Sequence, residues 1–188
     1  MLVITNNCMG GYFYKDEMKI QYNHPFFWGT MHDDILKLIL NWDKINFKKY
    51  VITKDEKSKY ILIIDDIIKY KLIHYHFSSR DITIRKNDHD VFYNKIEEYI
   101  KEKYETRINR MLNSNENPIF IIHWLKSDGF TEEKLEDFIK KDIKYKTIIF
   151  MPYEKYKNYI NKNIKLIYEP LSSTGSTKEL SKKIFNNL

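Results

Sequence analysis

Six short runs, at 2–5, 60–64, 72–77, 119–124, 147–151 and 164–168, are nearly all apolar and rich in β-branched residues, and the longer stretches between them carry helical periodicity. A strand that is apolar at almost every position has no solvent face, so it belongs in a sheet covered on both sides. Such runs alternating with amphipathic segments are the pattern of an α/β fold. The expectation is a layered α/β/α domain with a central, largely parallel (mixed) sheet of about six strands. Residues 1–188 contain no internal repeat or low-complexity linker, and a chain of this length buries a core without disulfides or metals. One domain is therefore expected. The link between 60–64 and 72–77 is too short for a parallel crossover, which predicts that these two strands pair antiparallel.

Helices are predicted in the intervals. Thr30 and Asp33 have capping-box spacing, and Ile35, Ile39 and Trp42 follow on one stripe. A long helix over about 90–112 aligns Phe92, Ile96, Ile100, Tyr104, Ile108 and Met111. Thr131 is predicted to cap a third helix whose first turn carries Glu132 and Glu133, where the positive end of the dipole favours acids. A fourth is predicted over about 177–185.

The charge pattern excludes some partners. Thirty-two basic and 26 acidic residues leave a net charge of +6, but they are interspersed, with no polybasic block. The many aromatics do not follow an RNA-recognition spacing, so nucleic acid is not an expected partner. No apolar run approaches the ~18 residues that span a bilayer, and the first residues do not resemble a signal peptide. With a single cysteine, this predicts a reducing, cytoplasmic setting. The sequence calls for no cofactor and indicates no oligomeric state.

That cysteine lies in V-I-T-N-N-C-M-G-G-Y, residues 3–12, three positions past the end of the first predicted strand. In parallel α/β sheets, residues just beyond the carboxyl ends of the strands face the ligand crevice. Gly10 and Gly11 let the backbone turn sharply and approach a ligand. Their N–H groups, with the amides of Asn6 and Asn7, are suited to an oxyanion site for acyl transfer through a Cys8 thioester. The plainer reading is a small packed residue at a bend, as free cysteines often are.

A thiol attacks as its thiolate and needs a base. His74 and His76, in K-L-I-H-Y-H-F-S-S-R, share one face of a predicted strand and are the candidates, with His24 and His123 in reserve. As plain strand histidines they need only hydrogen-bond partners. No pattern of metal-ligand spacing appears. In Y-E-T-R-I-N-R-M, Arg107 and Arg110 interrupt the long helix one turn apart. Such a pair either clamps a phosphate or carboxylate, or covers the core edge while pairing with Glu102, Glu105 or Glu116. The hydroxyl-rich L-S-S-T-G-S-T-K, residues 171–178, is no Walker motif and is read as the cap of the last helix.

Taken together, these stretches resemble a bacterial family, domain of unknown function nineteen-nineteen, whose members are often labelled exopolysaccharide-biosynthesis proteins. I-T-N-N-C-M-G-G resembles the family opening I-S-N-N-C-x-G-G, and Y-N-H-P its Y-x-S-P. D-D-I-L-K-L-I-L-N-W, a His-aromatic step at His74 or His76, Y-E-T-R-I-N-R-M for W-x-x-R-x-x-R-I, and Y-K-T-I-I-F-M-P-Y follow in the family's order. Thr5, His24 and Tyr104 depart from it. Families with a similar cysteine opening are described as papain-like peptidases or capsule acyltransferases. The resemblance thus implies a Cys-dependent acyltransferase or hydrolase of surface-polysaccharide biosynthesis, acting on a sugar or acyl-carrying small molecule.

The alternative is a non-catalytic α/β module binding a nucleotide-sugar or phosphosugar in the same pathway. Glycosyl transfer would need a metal-binding acidic pair, for which Asp65-Asp66 is the strand-end candidate.

Overall fold

The computed structural model describes residues 1–7, 18–19, 25–26, 29–56, 60–72, 89–125, 129–157, 159–170, 182–183 and 186–188. In chain order the elements are β1 (Leu2–Thr5), β2 (Gly29–Thr30), α1 (Asp34–Asn41), β3 (Tyr50–Lys54), β4 (Tyr60–Ile64), β5 (Ile68–Leu72), α2 (His89–Asn113), β6 (Pro118–His123), α3 (Glu132–Ile139), β7 (Thr147–Met151), β8 (Ile160–Asn161) and β9 (Ile164–Tyr168), with 3₁₀ turns at Trp42–Lys44 and Glu154–Tyr156. The fold is α/β. No helix among the described residues is long and apolar enough to cross a membrane.

Five strands form a mixed, largely parallel sheet in the order β1-β6-β7-β9-β8, with only β8 running antiparallel to its neighbour. Side chains alternate between its faces. Ile4, Phe120, Ile122, Ile149, Met151 and Leu166 enter the large core, whereas Val3, Ile121, Ile148 and Phe150 form a smaller cluster with Met18 and Leu188 packed against it. Both faces are therefore covered, which is why these strands carry no polar alternation.

Run 60–64 joins a second sheet, with order β2-β5-β4-β3 and every pair antiparallel. Strand 60–64 does pair antiparallel with the next strand, but that strand is Ile68–Leu72 rather than 72–77. Residues 73–77 lie outside the described residues. The reversal comes early because Asp65 and Asp66 adopt left-handed φ angles of 50° and 58°, the signature of a tight hairpin turn. Lys49 Nζ lies 3.5 Å from Asp65 and 2.5 Å from Asp66, and the Asn46 N–H donates to Asp65 at 3.1 Å. These acids are turn residues balanced by a lysine, which removes the geometry expected of a metal-holding strand-end pair.

Of the helices, α2 buries Ile96, Ile100, Tyr104, Ile108 and Met111 as its spacing predicts, and the Tyr104 hydroxyl donates to the Phe47 carbonyl at 2.8 Å. Thr131 caps α3 by accepting from the Lys134 N–H. The capping box before α1 does not form: Thr30 belongs to β2, and Asp33 occupies the cap position without a side-chain hydrogen bond to the helix.

Candidate functional site

β1 and β6 lie side by side and parallel, with Thr5 opposite Ile121, so their carboxyl ends emerge together. The next residue of each chain sets the geometry. Asn6 is 1% exposed, and its carboxamide bonds twice to one residue: Oδ1 accepts from the His123 N–H at 2.9 Å, and Nδ2 donates to the His123 carbonyl at 3.1 Å. The side chain thus replaces a main-chain rung of the sheet at the point where the chain bends. Asn7 follows, partly exposed, its carbonyl accepting from the Thr5 hydroxyl.

The loop before α1 closes this end from another side. Met31 donates its N–H to the Asn6 carbonyl at 3.1 Å, and exposed His32 follows with a left-handed φ of 45°. Lys134, in the first turn of α3, donates to Asp33 at 2.8 Å and to the Gly129 carbonyl at 2.8 Å, joining the starts of α1 and α3. That hydrogen bond holds the Asp33 carboxyl below the ordinary carboxylate range. Beyond β7, burial raises the Tyr153 phenol pKa, and the charges of Glu132 and Glu133 add to the effect. The Tyr153 and Thr30 hydroxyls have no hydrogen-bond partner among the described residues. Buried hydroxyls in that condition are uncommon and mark places where water or a polar ligand completes the bonding.

Cys8, Gly10, Gly11, His24, His74 and His76 lie outside the described residues, as does the stretch 171–178. Asn6, Asn7 and His123 come together. Arg107 and Arg110 do not join them: only four residues separate the end of α2 from the start of β6, so the turn bearing Arg110 is tied to the amino end of β6, ~16 Å along the strand from His123. Arg110 is exposed and Arg107 partly so. Glu105 bonds the Tyr50 hydroxyl at 2.7 Å, and Glu116 pairs with the amino terminus. A cavity of about 220 Å³ opens between β3 and α2, lined by Lys48, Tyr50, Glu105, Ile108 and Asn109, with neither arginine in its wall. Among the described residues, no three His, Cys, Asp or Glu side chains come together as metal ligands.

His32 carries no signal in the sequence, because the position of its loop depends on the main-chain hydrogen bond of Met31 to Asn6, between segments 25 residues apart. His123 does carry one, as the last residue of an apolar run, but its partner Asn6 is 117 residues away. No protein-family model matches this chain, and no curated protein or solved structure is similar enough to count as a match.

Proposed function

We propose that this protein is a cysteine-dependent acyltransferase or hydrolase of bacterial surface-polysaccharide assembly, with Cys8 as nucleophile and His123 as its base. The observation that carries the reading is the pair of hydrogen bonds, one accepted and one donated, between the side chain of Asn6, two residues before the cysteine in the sequence, and the His123 main chain. It supports His123 because it holds the main chain that bears this imidazole beside Asn6, two positions before Cys8 in the sequence. The resemblance of the opening I-T-N-N-C-M-G-G supports the acyl chemistry and the pathway.

In this mechanism the imidazole takes the thiol proton and the thiolate attacks the acyl carbonyl. Asn7 and the N–H groups of Gly10 and Gly11 receive the developing oxyanion. Collapse forms the thioester and expels the leaving group, which takes the proton from the imidazolium. A sugar hydroxyl or water, deprotonated by the same imidazole, then attacks the thioester and releases the thiolate. The Asn6 carboxamide contributes through His123, since its oxygen and one N–H are already bonded there. Arg107 and Arg110, near the end of α2 that leads to the amino end of β6, take no part in these steps.

The test is the alkylation rate of Cys8 by iodoacetamide against pH, read by mass, in the wild type and in His123→Ala, His74→Ala and His76→Ala. A paired thiol titrates below its free value near ~8.5, and loss of the true base returns it there. The expected result is that His123→Ala alone does so. If His74→Ala or His76→Ala moves it instead, the base is reassigned. If Cys8 labels only after denaturation, the nucleophile is excluded, and the nucleotide-sugar or phosphosugar module becomes the better account. The Tyr153 and Thr30 hydroxyls, which have no hydrogen-bond partner among the described residues, are compatible with that second reading as well.

A further inference from the structure

A parallel pair of strands normally continues its ladder through main-chain groups, and a chain that leaves the ladder strands its neighbour's N–H and C=O. At the end of β1 a side chain does that work. The Asn6 carboxamide offers an acceptor and a donor in one plane, and both go to His123. The Asn6 main-chain carbonyl is used as well, by the Met31 N–H. One buried residue therefore ties together the ends of β1 and β6 and the loop that carries His32.

Among side chains of this length, only asparagine can make both bonds. Aspartate keeps the acceptor but sets a second oxygen against the His123 carbonyl, and leucine or alanine leaves both His123 groups unpaired. Along β6, His123 continues the alternation of Ile119 and Ile121, so its main-chain pinning also sets the side of the sheet from which the imidazole starts. We infer that Asn6 is a positioning residue. It completes the end of the β1–β6 ladder with its side chain and so holds the main chain from which the His123 imidazole extends. The inference rests on the reading above only where the thiol is concerned.

The experiment follows the His123 imidazole directly, by the pH titration of its Cε1–H NMR signal in the full chain, assigned by its loss in His123→Gln. It also records Cys8 alkylation at pH 7. Asn6→Ala and Asn6→Asp are compared with Tyr104→Phe, which removes a buried hydrogen bond elsewhere. Both Asn6 variants are expected to shift or broaden the His123 signal and move its titration midpoint, and to slow alkylation about tenfold, with Tyr104→Phe doing neither. Asn6→Asp keeps the shape and one bond, so it remains informative if Asn6→Ala does not fold. A His123 titration unchanged in folded Asn6→Asp would overturn the inference, leaving Asn6 a purely structural residue. A moved His123 signal with unchanged thiol reactivity would uphold it while removing the Cys8–His123 mechanism.

Discussion

The two sheets of this protein solve the same problem in opposite ways. In the parallel sheet, all five residues of β7 are buried and the strands on either side pack both faces. In the antiparallel sheet, β5 alternates buried and more exposed positions, and Val51 of edge strand β3 is 57% exposed. A sheet covered on both faces draws its stability from the volume of its side chains. A sheet with one wet face depends more on turns and close backbone fits. The candidate site belongs to the first kind: it sits where doubly covered strands end.

The largest effect that distinguishes the sheets is expected from Phe120→Ala in β6. Its ring is fully buried and meets Trp42 and Tyr145 at 5.5 and 6.2 Å, so truncation should cost about 3–5 kcal/mol. Val51→Ala on the open face should stay within ~0.5 kcal/mol. Urea unfolding of the two variants makes the comparison, and equal losses would mean that the antiparallel face is covered in solution.

Gly29→Ala tests the second sheet on its own terms. An added Cβ would stand 2.4 Å from the Lys71 carbonyl oxygen and 2.4 Å from the Tyr70 ring, so backbone must shift, at a cost of about 1–3 kcal/mol. Hydrogen exchange should show protection lost first in β2 and β5, with β6 and β7 unaffected. Loss spread evenly over both sheets would show that they open as one unit.

Smaller effects come from the helix starts at the strand ends. Thr131→Ala removes the side-chain cap of α3 and should cost about 1 kcal/mol in thermal or urea unfolding. The Asp33–Lys134 pair is the weakest, both side chains being nearly half exposed. Asp33→Asn should cost under ~1 kcal/mol, and 1 M salt should erase the difference from wild type. The sign with pH follows from the lowered Asp33 pKa: the contribution is present above the unfolded value near ~3.9 and is lost as pH falls through the depressed folded value. A wild-type advantage that persists below that range would place its origin elsewhere.

The doubly covered strands were legible because uniform apolarity is a local signal. Runs 2–5, 147–151 and 164–168 match the strand limits, and 119–124 differs from Pro118–His123 by one residue at each end. The antiparallel strands were less so. I-K-Y-K-L alternates and yields to the richer apolar density just after it, β3 is mostly polar on its exposed side, and β2 and β8 have two residues each. The Thr30–Asp33 spacing misled because a capping box and a short strand before a helix share the same residues; only the pairing of Thr30 with Lys71 separates them.

The sequence by itself determined the α/β class, the covered strands of the main sheet, the buried stripe of α2 and the cap of α3. Each follows from periodicities of two or 3.6 residues and from side chains that bond within a few positions. Tertiary structure alone decided that 60–64 serves a second sheet, that Asp65-Asp66 is a turn, and that Asn6 spends its carboxamide on His123. Those outcomes depend on which distant segment arrives beside a given residue. A side chain of fixed chemistry accepts many partners, and only the closed geometry of the sheet, with its obligation to pair every buried N–H and C=O, selects one.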